Sequence, residues 1–212
     1  MPAIRPAREA LIGRFIRLEP FRPDYLPALW AALGRADVFA SGYGGGPAGL
    51  PPDEASFHEW ALRHFPHATG NTYVAIVQGG PHDGVVVGAS SLADFDEAKE
   101  HAHIGWTGWD PRVWSTQVNP EAKLLMLGVA FDHGYGRVKL QADNVNSRSK
   151  AAIAKLGAQF EGVERRAVRR ADGSWRDTAI FSVLIDEWPA VKAGLEARLA
   201  AWGDRPVEFR AT

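Results

Sequence analysis

Trp114-Ser115-Thr116-Gln117-Val118-Asn119-Pro120-Glu121-Ala122-Lys123 and, one strand later, Asn146-Ser147-Arg148-Ser149 decide the fold of this chain. The first stretch is a polar loop that runs into a helix over 120–131. That helix is apolar over most of its circumference (Leu124, Leu125, Leu127, Val129, Ala130, Phe131), so it is largely buried. Asn119 reads as its N-cap and Pro120 as its first residue, where a missing N–H is tolerated. Arg137-Val138-Lys139-Leu140-Gln141-Ala142 alternates polar and apolar residues, the period of a strand. Asn146 then precedes a second helix, over 147–156, stopped by Gly157.

A helix start has unpaired N–H groups and a partial positive charge, and can bind a pyrophosphate with few side-chain charges. Ser115 and Thr116 can add hydroxyl donors. Asn146 offers a donor and an acceptor to the amides of an extended arm. Ser149 follows three residues later, on the same end and face. Two helix starts beside one strand are what a protein needs to grip coenzyme A. Each residue alone also fits an ordinary capped helix.

Working outward, Arg14 to Pro20 reads as a strand, and Asp24 precedes a helix through Leu33. A further helix opens at Pro52 or Asp53. Strands follow at 72–77 and 85–92, joined by a Gly79 to Gly84 turn, and at 103–109. Gln159 to Val168 and Thr178 to Ile185 form a hairpin around Ala171-Asp172-Gly173-Ser174, and Trp188-Pro189 starts a last helix ending near Trp202. This order predicts one α/β (α+β) domain over 1–212, with a mixed, twisted sheet of about seven strands and helices on both faces. The cofactor half runs over roughly 85–158, and the terminal hairpin and helix over 159–203.

Composition narrows the classes. Of 212 residues, 46% are hydrophobic and 23% charged, a globular balance with room for a core. A net charge of -1 leaves no basic excess to neutralise nucleic acid. With no cysteine there is no disulfide, thiolate metal site or cysteine nucleophile. No signal peptide or stretch of the ~20 apolar residues of a membrane span is visible, so the expected location is cytoplasmic. The glycine run within Ser41 to Pro52 lacks a following Lys-Ser/Thr and reads as a flexible surface loop, not a nucleotide loop. The seven histidines are scattered, and His101 with His103 makes no complete metal-ligand set.

These motifs together resemble the Gcn5-related N-acetyltransferases (GNAT), in the branch similar to ribosomal-protein alanine N-acetyltransferases. The resemblance spans nearly the whole chain. It runs from Arg14-Phe15-Ile16-Arg17-Leu18-Glu19-Pro20 through Ile104-Gly105-Trp106-Thr107, Asn119-Pro120-Glu121-Ala122 and Asn146 to Ala158. It closes with Glu161-Gly162-Val163 and Asp172 to Asp177. It implies acetyl transfer from acetyl-CoA to a primary amine by direct attack, with two central parallel strands splayed around the cofactor. Within the first of those strands, Trp106, Thr107 and Gly108 would supply a backbone N–H to the thioester. Ser115, Thr116, Gln117, Val118 and Asn119 would hold the pyrophosphate, and Asn146 and Ser149 the pantetheine arm.

Two departures stand out. The family usually has glycine at Gln117 and often at Ser115, where positive φ and close backbone approach are needed. A catalytically inactive acyl-CoA-binding or partner-binding protein is the alternative that Gln117 supports. The family's tyrosine acid is replaced by Ile153, and Ser149 takes that role by resemblance. His103 stands where relatives place a glutamate base, with Asp94 and Asp96 as rivals. The acceptor groove is expected between the first helices and the last hairpin. Asp53, Glu54, Glu59 and Asp172 are its candidate acids, and the glycine loop is its lid. The expected partner is an amine acceptor, with neither nucleic acid nor membrane. Monomer and homodimer both remain open, with Trp188 and Trp202 as a candidate dimer surface.

Overall fold

In a computed structural model that describes residues 2–211, one open eight-stranded sheet organises the chain. Its order is β1-β2-β3-β4-β5-β6-β8-β7. The strands are β1 (Leu11–Ile12), β2 (Ile16–Pro20), β3 (Asn71–Val77), β4 (Val86–Asp96), β5 (His101–Trp109), β6 (Arg137–Asp143), β7 (Gln159–Arg169) and β8 (Trp175–Leu184). Every neighbour is antiparallel except β5 and β6. The helices are α1 (Leu26–Leu33), α2 (Ala36–Phe39), α3 (Glu54–His64), α4 (Val118–Asp132), α5 (Ser147–Ala154) and α6 (Trp188–Ala200).

The sheet separates two apolar layers. α4, α5 and α6 pack on one face through Val118, Ala122, Met126, Leu127, Ile153, Leu156, Leu195 and Leu199, over Ile104, Val138, Leu140, Phe181 and Val183. α1 to α3 pack on the other through Leu29, Leu33, Phe39, Phe57 and Ala61, over Val74, Ile76 and Ala89. Each fully buried Leu or Phe contributes about 1.5–3 kcal/mol, so both layers are needed. Among the described residues no helix is long and apolar enough to cross a membrane.

Several expectations shift. The two-residue β1, set by the turn before Ile16, is too short to leave a period and adds an eighth strand. α4 starts at Val118, with Gln117 at its cap, so Pro120 sits inside the first turn. Asn119 is not the cap, because its Oδ1 accepts instead from Trp109 Nε1 at 2.9 Å. α5 ends at Ala154, two residues earlier than the pattern suggests. Trp188 is not a dimer surface: it is 8% exposed and packs 5.2 Å from Phe131.

On α3, His64 stacks on Trp60 with ring centroids 4.3 Å apart, and burial pulls its pKa from 6.5 down to about 4. Between those values the native state binds fewer protons than the unfolded chain. Stability therefore falls as pH drops from 6.5 to 4, by about 2 kcal/mol. His64→Phe, which keeps a stacked ring, should remove this part of the acid sensitivity. Urea unfolding of both proteins across that range checks it.

Candidate active site

β5 and β6 pair in parallel from His101↔Arg137 only as far as Ile104↔Leu140. Beyond that point β5 continues along β4 and β6 along β8, so the two strands part into a wedge. Gly105 pairs with Ser91 and Gly108 with Ala89, so Trp106 and Thr107 together oppose Ser90. This bulge, with Trp106 at φ 51°, re-aims the backbone at the mouth of the wedge. Asp110 N–H donates to Val87 O on β4 at 2.8 Å. By alternation the N–H and C=O of Trp109 face the wedge. There Trp114 Nε1 donates to Trp109 O at 3.0 Å, and Arg148 of α5 lies 3.3 Å over the Trp114 ring.

The loop before α4 tolerates its two non-glycine residues for different reasons. Ser115 adopts φ 62°, the left-handed conformation that glycine takes most easily, without being one. Gln117 has ordinary helical angles, and its fully buried side chain turns inward, donating to Arg205 O at 3.0 Å and Pro206 O at 3.2 Å. Thr116 is not a free donor: its hydroxyl goes to Val113 O at 2.7 Å. What this loop offers a ligand is therefore backbone N–H at a helix start. The loop and the C-terminal segment together line a partly open pocket of about 290 Å³, among Thr116, Gln117, Trp202, Arg205 and Phe209. Sequence reading assigned no role to that segment.

Asn146 caps α5, its Oδ1 accepting from Ser149 N–H at 2.9 Å, which leaves its Nδ2 for a ligand. Ser149 is half-buried on the first turn of α5. His103 is 3% exposed, and its Nδ1 lies 2.8 Å from Asp94 Oδ2. A proton on Nδ1 donated to Asp94 leaves Nε2 as a bare acceptor. Nε2 is buried without a partner among the described residues. It leans towards Gly105 at the vertex, leaving no room for a Cβ there. Burial lowers the His103 pKa, and Asp94 pulls it back only in part. His103 and Asp94, rivals in the sequence, are thus one pair. Asp96 lies outside it, bonded to Lys99 at 2.7 Å.

The candidate acceptor acids have structural tasks. Asp53 caps α3 through Ser56 N–H at 2.8 Å, and Asp172 accepts Ser174 N–H at 2.8 Å in the hairpin turn. Glu54 and Glu59 face His58 and Arg63 on the same helix. The glycine loop does cross the wedge. Gly42 rests on Asp143 at the end of β6, Tyr43 presses its hydroxyl end on Gly108 of β5, and Gly45 O accepts from Ala171 N–H at 3.1 Å. The Tyr43 hydroxyl is buried without a partner among the described residues, and burial raises its pKa.

Lys123 carries no signal in the sequence, because a lysine beside an N-terminal helical turn reads as solvated. It is 4% exposed, with Nζ donating to Ser90 Oγ at 2.9 Å and Thr107 Oγ1 at 2.7 Å, directly behind the bulge. Burial lowers its pKa from 10.5 to about 7. The native state binds fewer protons than the unfolded chain between those values, so this group's contribution to stability rises with pH from 7 to 10.5. Lys123→Met should raise stability at pH 7 by about 2 kcal/mol and flatten that rise. Melting curves at pH 7 and 9.5 test both.

The family described as an acetyltransferase (GNAT) domain matches residues 16–159, more than half of the chain. The chain therefore belongs to the GNAT acetyltransferase family. A GCN5-related N-acetyltransferase from Brucella melitensis is 29% identical over 100% of this chain and 95% of that one, with a TM-score of 0.85. Mycobacterium smegmatis RimJ in complex with CoA-disulfide is 18% identical, over 86% and 88% of the two chains, with a TM-score of 0.66. The ribosomal-protein-S5-alanine acetyltransferase from Vibrio fischeri is 14% identical, over 84% and 98%, with a TM-score of 0.63. The last two likenesses concern the fold alone. No curated protein matches the chain.

Proposed function

We propose that this protein transfers an acetyl group from acetyl-CoA to a primary amine by direct attack in a ternary complex. The observation that carries the reading is the wedge between β5 and β6, with the Trp106–Thr107 bulge at its mouth and the start of α4 beside it. The donor set fits the ligand. The backbone N–H groups of Ser115, Gln117 and Asn119 suit a pyrophosphate, while those of Thr116 and Val118 are taken by Val113 O and Thr116 Oγ1. Asn146 Nδ2 and the wedge-facing N–H of Trp109 suit the amides of a pantetheine arm, the Trp109 carbonyl already accepting from Trp114 Nε1. The Mycobacterium smegmatis neighbour carries a CoA-disulfide.

When bound, acetyl-CoA supplies the acetyl thioester. A backbone N–H at the Trp106–Thr107 bulge would polarise the thioester carbonyl, whereas Gly108, paired with Ala89, turns its N–H towards β4. An amine must lose a proton to attack, and His103 Nε2 accepts it while Asp94 holds the ring. The Ser149 hydroxyl would donate a hydrogen bond to the CoA sulfur as it leaves as a thiolate, which takes its proton from solvent. The reading of an inactive binding protein rested on Gln117, which is turned inward and needs no glycine conformation. A cytoplasmic setting goes with the active reading.

Calorimetric titration with acetyl-CoA and CoA, followed by thiol release in the presence of an amine panel, tests it. Micromolar binding with amine-dependent release is expected. Binding without release from any amine would replace the enzyme with a binding protein, and no binding would leave only shared ancestry.

A further inference from the structure

β8 presents two polar groups, on one face, that the fold leaves unused. Thr178 is 1% exposed, and its Oγ1 is buried without a partner among the described residues. Arg176 stands two residues away, on the same face by strand alternation. Its Nε is likewise buried without a partner. Thr178 pairs with Asp143, the last residue of β6, so both groups stand at the open end of the wedge.

The nearby acid does not answer Arg176. Asp143 is held by Arg170, with Nε 2.9 Å from Oδ2 and Nη2 2.9 Å from Oδ1, and its Oδ1 also accepts Val145 N–H at 3.2 Å. One carboxylate therefore faces two guanidinium groups and is engaged by one of them. Burial and the like charge of Arg170 both lower the Arg176 pKa, against a partial pull from Asp143. A half-buried guanidinium without an acceptor is an unfavourable arrangement that a bound anion relieves.

The surroundings say which molecule would bring that anion. α4, α5 and α6 pack on the opposite face of β6 and β8. The glycine loop closes over this end, with Gly42 on Asp143 and Gly45 bonded to Ala171. The two groups thus lie beneath that loop, on the face away from α4, α5 and α6, one strand spacing (about 4.8 Å) from the edge of the wedge. A guanidinium fork with one hydroxyl beside it matches the two oxygens of a carboxylate, and one uncompensated positive charge calls for one negative charge.

We propose that Arg176 and Thr178 form the subsite for a carboxylate on the acceptor, so that the substrate is an amine with a carboxylate a few bonds away. This rests on the acetyltransferase reading of the same wedge.

The test is calorimetric. Protein saturated with CoA, which binds acceptor without turnover, is titrated with amino acids from glycine to phenylalanine, β-alanine and 4-aminobutyrate, each beside its carboxamide. At least one acid should bind about ten- to hundred-fold tighter than its amide. Arg176→Gln should abolish that preference with CoA affinity unchanged, and Arg176→Lys should keep part of it. Equal binding of acids and amides, no binding of any acid, or an undiminished preference in Arg176→Gln overturns the subsite while leaving the acetyltransferase reading intact. Failure of wild-type protein to bind CoA overturns that reading and this one with it.

Discussion

His103→Gln should lower kcat by about 10²–10⁴-fold while leaving acetyl-CoA affinity unchanged. The argument starts from burial. At 3% exposure, with a pKa below its ordinary 6.5, the imidazole is neutral at pH 7 and can accept a proton. Asp94 at 2.8 Å takes the Nδ1 side, which leaves Nε2 free at the vertex of the wedge. The pH profile carries the sign. Once kcat/KM is expressed per free amine, it should fall only below pH 6.5, as His103 protonates. Asp94→Asn should push that limb lower still, because it removes a neighbour that favours the protonated ring, and should slow turnover by about ten-fold through lost orientation. Steady-state rates from pH 5 to 9, with calorimetric binding of acetyl-CoA, decide it. Wild-type turnover in His103→Gln would remove His103 from the chemistry.

The second large effect is on stability. Glu121→Ala should destabilise the protein by about 3–5 kcal/mol and lower its Tm by roughly 10 °C. The Glu121 carboxylate is 3% exposed and accepts three backbone N–H groups, from Arg14 at 2.7 Å, Phe15 at 2.8 Å and Ile16 at 2.7 Å. Burial raises its pKa, while those three donors pull it down. Removing the carboxylate strands all three donors inside the protein and unpins α4 from β2. Glu121→Gln retains one acceptor oxygen and should fall between. Thermal unfolding followed by circular dichroism is the measurement, and a Tm within 3 °C of wild type would show that those N–H groups find water instead.

Much of the frame was legible in the residues. Period-two runs marked β2 and β6, because alternate residues of those strands meet different surroundings, whereas β3, buried at every residue, was legible only as an apolar run bounded by turn residues. Asp53 and Asn146 were legible as caps, since their short side chains reach the backbone of the next turn without help from elsewhere. β1 and α2 were not, because two and four residues are too few to show a period. Asn119 read as a cap by type and position, but the competing indole of Trp109 claims its side chain.

The candidate site divides the same way. Local pattern placed the loop at Ser115 to Asn119, the Asn146–Ser149 helix start and the strand holding His103 and Trp106. Each of these depends on neighbours within a few residues. Pairings across the sheet lie beyond any local pattern. Asp94 meets His103 only because β4 and β5 lie side by side, and Lys123 reaches Ser90 and Thr107 only because α4 crosses behind the bulge. Gln117 is the sharpest contrast. By residue type it threatens the loop, while the C-terminal segment 88 residues away gives its side chain two carbonyls and draws it inward. The sequence by itself determined which segments become strands and helices and where a helix start meets a strand, because short-range sterics and periodicity govern both. Only the tertiary structure decided which polar groups are satisfied and which stand free at the wedge, because that depends on partners brought together by burial.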